Sequence, residues 1–524
     1  MKKNVFFLLS IVAIAPVPVL AFYSFQPEFA EPATSSAAGT TCESLSKLTL
    51  PNTTITLAQT IEAGAFTVPA RGNAQPPNFK DLPAFCRVLA TVKPSNDSDI
   101  KVEVWMPATG WNGKFQGTGN GGFAGNINAG ALATALRKGY AAAATDTGHV
   151  GDGQDGTFAL GHPEKVIDFG YRAVHEMTVQ AKTIVAAYYG GGPKLSYWVG
   201  CSTGGRQGLK EAQKYPEDYD AIVAGAPAAP TSLLAIQAIH AAQTVHKDES
   251  SYIPPALYPV IHKAVLDACD AQDGVKDGVL ESPRRCTFDP KVLLCRAGAD
   301  SATCLTAPQV EAAQALYGPT RNPRTKQIIA PGLERGSEPG WAGLAGPDPL
   351  FYANGFWKYI VFKNPDWNYK TLNMETALGL AEKEDPGIIT ALDPNLKPFF
   401  ARGGKLLQYH GWADQLIVPG YSINYYEKVL DTVGNAKTVN DSYRLFMVPG
   451  MGHCGGGDGP NNFDMLTALE QWKEQGKAPE RIIASRMKNG AVDRTRPLCP
   501  YPQVATYKGT GSTDDTANFI CKAR

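Results

Sequence analysis

The stretch Leu195-Ser196-Tyr197-Trp198-Val199-Gly200-Cys201-Ser202-Thr203-Gly204-Gly205-Arg206 constrains this chain more than any other. The apolar run Leu195–Val199 predicts a short buried strand, and Arg206–Tyr215 predicts a helix. Between them lies Gly-x-Ser-x-Gly with Ser202 at its centre. A strand that turns this sharply into a helix strains its central residue, and glycines two positions either side let neighbouring backbone pass close by. The hydroxyl then stands clear of the sheet, at a helix N-terminus whose dipole favours negative charge. A glycine-rich turn with an incidental serine is the bland alternative, so the rest of the chain has to decide.

Upstream, Ile100, Val102 and Val104 alternate with Lys101 and Glu103, which predicts a strand with one buried face. Gly117 to Gly125 is dense in glycine, so its backbone N–H groups can face one point, as an oxyanion requires. A phosphate loop would continue into Gly-Lys-Ser/Thr, and this one does not. Tyr140–Thr145 and Ala221–Ala224 predict further strands. Phe169–Tyr189 predicts a helix, with Val174, Met177, Ala181, Ile184 and Val185 at helical spacing and a Gly-Gly-Gly-Pro stop. His175 on that helix reads as structural. Strands alternating with helices predict an α/β fold with a mostly parallel sheet.

Between 227 and 398 Pro, Gly and Cys cluster and strand signals fade, which predicts an inserted lid domain. The flanking stretches, 42–226 and 399–524, then form one core. The sheet resumes at Lys405–His410 and runs into Gly411-Trp412-Ala413-Asp414. A last strand, Tyr443–Val448, runs into Pro449-Gly450-Met451-Gly452-His453-Cys454. Each places a polar residue just past a strand's carboxyl end, where open α/β sheets build their sites. The order Ser202, Asp414, His453 is that of the α/β-hydrolases. Imidazole titrates near neutrality and can take the serine proton, and a carboxylate behind it would fix the tautomer. The N–H of Thr203, with that of Gly121 or Gly122, is the expected oxyanion hole. An isolated Asp turn and an isolated loop histidine are the alternatives; the order of the three residues and their places after strands argue against both.

Lys2 and Lys3 precede an apolar run from Val5 to Leu20, and Val19-Leu20-Ala21 fits a cleavage site, so 1–21 is expected to be a signal peptide. Residues 22–41, rich in Ala, Ser and Thr, are expected to be a disordered leader. No other stretch approaches the length needed to cross a bilayer. Lys+Arg and Asp+Glu both number 49, which leaves no electrostatic footprint for nucleic acid or an anionic membrane. Ten cysteines in an exported chain predict a disulfide framework. Proximity suggests Cys42–Cys86, Cys269–Cys286, Cys295–Cys304 and Cys499–Cys521, leaving Cys201 and Cys454. These adjoin Ser202 and His453, so if serine and histidine meet, a bridge is within reach; two separate buried thiols are the alternative. In the insert, Asp270, Asp273 and Asp277 with Asp-Gly turns could gather hard oxygens around calcium, although the spacing is not that of an EF-hand and ordinary turns would also explain it. Trp341, Phe351, Tyr352, Phe356, Trp357, Tyr359 and Trp367 form the densest aromatic run, mostly the insert's own core, with one or two able to stack on a planar substrate.

Gly-Cys-Ser-Thr-Gly-Gly-Arg-Gln-Gly at 200–208 and Gly-Met-Gly-His-Cys at 450–454, with Asp414 between, resemble the tannase and feruloyl esterase family over about 42–521. The resemblance implies an α/β-hydrolase core, a large lid, and hydrolysis of small-molecule esters of aromatic acids. It also implies the Cys201–Cys454 bridge and a structural calcium held by Asp270, Asp273 and Asp277 with the carbonyls of Val275 and Val279. His410 and Ile417 are the candidate substrate-binding residues. In the terephthalate monoester hydrolases of this family a glutamate follows the nucleophile and a phenylalanine stands three residues past the acid. Here Thr203 and Ile417 occupy those places, which counts against terephthalate. The expected activity is that of an exported feruloyl-type esterase; the alternatives are a tannin or terephthalate monoester hydrolase, or a secreted binding protein on an inactive hydrolase scaffold.

Overall fold

The computed structural model describes residues 39–68 and 78–523; the expected signal peptide, 1–21, and the leader up to residue 38 lie outside the described residues. Strands β1 (Thr53–Ile61), β2 (Phe85–Val92), β3 (Ile100–Pro107), β4 (Lys114–Thr118), β5 (Ala141–Thr145), β6 (Leu195–Cys201) and β7 (Ala221–Gly225) come first. Within 227–398, β8 (Thr320–Arg321) and β9 (Ile328–Ala330) form a separate two-stranded sheet. Strands β10 (Lys405–Gly411) and β11 (Tyr443–Val448) then complete a nine-stranded sheet in the order β1-β2-β3-β5-β4-β6-β7-β10-β11. The six strands from β5 to β11 in that order run parallel, and β3, β2 and β1 extend one edge antiparallel.

Side chains alternate across a strand, so each parallel strand feeds two cores. Trp198, Ile222 and Leu406 enter one, beneath helices Ala173–Tyr189, Thr203–Lys214 and Gly420–Val433. Tyr197, Val223 and Leu407 enter the other, beneath Ala129–Arg137 and Met465–Gln475. Helix Ala173–Tyr189 buries Val174, Met177, Ala181, Ile184 and Val185, and stops at Gly190 with φ 76°. Among the described residues no helix is long and apolar enough to cross a membrane.

The 227–398 segment contributes no strand to the nine-stranded sheet. Its aromatic residues Trp341, Tyr352, Phe356, Trp357 and Trp367 are buried in a third core that also includes Phe123, Phe169, Ile417 and Tyr421. The insert therefore buries its apolar surface jointly with loops at the carboxyl ends of the strands. Residues beyond 481 leave the sheet as two hairpins, β12 (Ile482–Lys488) with β13 (Ala491–Leu498) and β14 (Gln503–Tyr507) with β15 (Phe519–Ala523). Five disulfides are present: Cys42–Cys86, Cys201–Cys454, Cys269–Cys286, Cys295–Cys304 and Cys499–Cys521.

Candidate active site

Ser202 follows β6 with φ 61° and ψ −121°, backbone that any residue with a β-carbon resists at a cost of about 1–3 kcal/mol. Its surroundings hold it there. Its N–H donates to the Gly225 carbonyl, and its own carbonyl accepts from Arg206 and Ala228, each at 3.0 Å. The turn fits only because Gly119 and Gly204 meet backbone to backbone: a β-carbon on Gly119 would lie 2.5 Å from the Gly204 Cα. Thr203 opens the following helix, where first-turn N–H groups have no intrahelical acceptor. Its hydroxyl donates to the Gly122 carbonyl at 2.6 Å. Gly122 has φ +52°, and a β-carbon there would strike the Gly153 carbonyl oxygen at 2.1 Å, while Gly121 faces open space.

Asp414 lies three residues past β10 and is fully buried. One carboxylate oxygen accepts the N–H groups of Leu416 and Ile417, each at 2.9 Å. The other lies 2.8 Å from His453 Nδ1. An ionised carboxylate only accepts, so Nδ1 donates to it and Nε2 is the nitrogen that faces away from Asp414. Burial would raise the Asp414 carboxyl, but His453 and His410 outweigh it and hold it well below the usual carboxylate range. His453 Nε2 lies 3.7 Å from Cys454 Sγ, on the side of the bridge to Cys201.

His410 does not reach substrate space, contrary to the expectation for it. It is fully buried on β10, with Nε2 donating to the Ile417 carbonyl at 2.7 Å and 3.2 Å from Asp414 Oδ2. Its Nδ1 lies 2.7 Å from Ser422 Oγ. The period-two alternation of β10 turns this side chain inward beneath the Asp414 loop, where it braces the carboxylate. Ile417 does line the cavity beside Ser202.

That cavity, of about 470 Å³, is lined by Ser202, Thr203, Gly121, Gly122, His453 and the Cys201–Cys454 bridge. Leu234, Leu350, Phe351, Tyr352, Leu416 and Ile417 also line it, and none of the described residues lining it is Lys, Arg, Asp or Glu. Nothing in local periodicity marks Leu234, Leu350 or Leu416 as lining residues; they come together only through the insert. A second cavity, of about 300 Å³, reaches His453 from beside His262, Arg335, Gln415 and Asp458. Burial would lower His262, but Asp458 and Glu338 on either side outweigh it and push it up to about 9.

The acidic loop of the insert borders a cavity of about 20 Å³, lined among others by Asp273, Val275, Asp277, Val279 and Glu281, room for one ion or water. Asp270 braces this loop, accepting N–H groups from Asp277 at 3.2 Å and Gly278 at 2.9 Å. Arg494 and Arg496, from β13, pair with Asp277. Elsewhere His175, Glu211 and Asp218 place ligand-type atoms within 4.8 Å of one another and could hold a metal ion. Burial and the neighbouring Asp218 push the Glu211 carboxyl up, so a proton there is another way to neutralise the pair, with Lys182 alongside.

A sequence profile described as tannase and feruloyl esterase matches residues 86–522. An uncharacterized esterase of Xanthomonas campestris pv. campestris is 39% identical, over 93% of this chain and 92% of that protein. A probable feruloyl esterase B-2 of Aspergillus terreus is 35% identical, over 91% of this chain and 93% of that protein. Among solved structures, feruloyl esterase B from Aspergillus oryzae superposes with a TM-score of 0.86 at 31% identity, covering 93% of this chain and all of that one. The nine-stranded sheet with its helical layers is thus an α/β-hydrolase core. The chain belongs to the tannase and feruloyl esterase family of carboxylic ester hydrolases.

Proposed function

We propose that this protein is an exported serine esterase that cleaves esters of aromatic acids, of the feruloyl kind, through an acyl-enzyme on Ser202. The observation that carries this reading is the sharing of one cavity by Ser202 and His453, with Asp414 2.8 Å behind the imidazole. His453 Nε2 takes the Ser202 proton as Oγ attacks the ester carbonyl, and Asp414 stabilises the imidazolium that forms. The developing oxyanion accepts from the Thr203 N–H and from Gly121 or Gly122; loss of one such donor costs about 3 kcal/mol. His453 then passes the proton to the leaving alcohol, and a water molecule repeats the sequence to release the acid. Five disulfides suit the oxidising compartment that export would bring.

The cavity wall supports the choice of acid. Leucine, isoleucine and aromatic side chains suit a neutral ring, whereas a second carboxylate would be buried beside no lysine or arginine. Leaving a polar group unpaired costs about 1–3 kcal/mol, or roughly 5- to 150-fold, and a charge sits at the upper end of that range or above it. A panel of methyl ferulate, methyl gallate and a terephthalate monoester, read as kcat/KM, should therefore rank ferulate first and terephthalate lower by that factor. A preference for the terephthalate ester would overturn the feruloyl assignment, and a preference for gallate would make the protein a tannin hydrolase.

Calcium would be held by Asp270, Asp273 and Asp277 with the Val275 and Val279 carbonyls. Four of these five residues line the small cavity, and no donor pairs with either carbonyl among the described residues. These hard oxygens suit calcium, and Asp277 separately ties this loop to β13 through its two arginines. Chelation should lower the melting temperature and reduce activity only as the insert loosens, with calcium restoring both. No change in stability after exhaustive chelation, with no metal by elemental analysis, would make the loop a set of turns.

A further inference from the structure

We infer that Gln207 is a positioning residue for the oxyanion hole, clamping the 119–125 loop to the helix that carries Ser202; this rests on the proposed nucleophile. Thr203 and Gln207 stand one helical turn apart and so project from the same face of Thr203–Lys214. Both reach the glycine loop. The Gln207 side-chain oxygen accepts the Asn120 N–H at 3.0 Å, and its amide nitrogen donates to Asn120 Oδ1 at 2.9 Å. A backbone N–H can only donate, so the orientation of the Gln207 amide is fixed rather than chosen. The Asn120 amide in turn donates to the Thr145 carbonyl at 2.8 Å, and the Asn120 carbonyl accepts the Gly204 N–H at 2.8 Å. Asn120, the residue before Gly121, is thus held by its N–H, its carbonyl and both ends of its side chain.

The two halves of the hole come from segments some 80 residues apart, so their register depends on such cross-links. Gln207 is only 1% exposed and is not among the residues lining the cavity, so it acts through the loop and not on the substrate. Oxyanion donors are used in the transition state, so loosening them should lower kcat and leave KM alone.

The test uses the full chain with its disulfides intact. Gln207→Met keeps the length of the side chain and removes both hydrogen bonds; Gln207→Glu keeps the acceptor and removes the donor. On methyl ferulate, kcat should fall about 100-fold for Met and about 10-fold for Glu, with KM within about threefold of the parent, because a displacement of about 1 Å costs on the order of 100-fold. Affinity for styrylboronic acid should fall in step with kcat. In that adduct Ser202 Oγ bonds to boron, the boron becomes a tetrahedral anion, and the serine proton passes to His453. Affinity for ferulate itself should hold. Melting curves run alongside; if the Met variant does not fold, the Glu variant decides by the same comparison. Unchanged kcat, or a loss of kcat with boronate affinity intact, overturns the clamp. Ser202→Ala is assayed in parallel: if it keeps activity the nucleophile reading fails, whereas if it is inactive while Gln207→Met is fully active, only the clamp fails.

Discussion

Replacing Cys201 and Cys454 together by alanine should collapse kcat at temperatures where circular dichroism still shows a folded protein. The bridge spans a sequence separation of 253 with Cα atoms 6.0 Å apart, and it joins the residue before Ser202 to the residue after His453. Chain-entropy arguments give such a long loop roughly 5 kcal/mol of stabilisation as an upper figure. The kinetic loss should exceed what that stability change implies. Ser202 sits in a strained turn after β6, and His453 lies on a loop with glycines at 450, 452, 455, 456 and 457. Such a loop has few side chains of its own to fix it, so the bridge is its covalent link to the Ser202 turn. A drift of about 1 Å between serine and base costs on the order of 100-fold. Full activity in the double variant would show that Asp414 and the packing around it suffice to seat the histidine.

The strand–turn–helix at 195–215 was legible because each signal is local: an apolar run, a glycine, then helical spacing. The same holds for β7, β10 and β11, whose carboxyl ends deliver the loops around the cavity. The two outer strands of the antiparallel edge were harder. Strand β1 alternates threonine with isoleucine and leucine and leaves most of its residues partly exposed, and β2 places a cysteine and an arginine inside its apolar run. The pairs β12–β13 and β14–β15 likewise lack apolar runs that single them out. The sequence places His410 at the end of β10 but does not show its surroundings; burial and the hydrogen bonds to Ile417 and Ser422 place it away from the cavity. The cavity wall and the Gln207–Asn120 pair depend on contacts between distant segments, and no local pattern carries them. The 227–398 segment illustrates the same limit: composition sets it apart, yet its core is completed by Phe123, Phe169 and Ile417 from outside it.

If Ser202 forms the acyl-enzyme as proposed, it is also the residue that an active-site reagent modifies. Ser202→Ala should lower kcat on any accepted ester by about 10⁶ while the fold is retained, the scale of loss when a triad nucleophile is removed. Treating the parent protein with a fluorophosphonate should give one adduct per chain, on the peptide that contains Ser202, with activity lost in proportion to labelling. The alanine variant should take no label there. An adduct on another residue, or an alanine variant that keeps more than a tenth of the parent activity, would rule out Ser202 as the nucleophile.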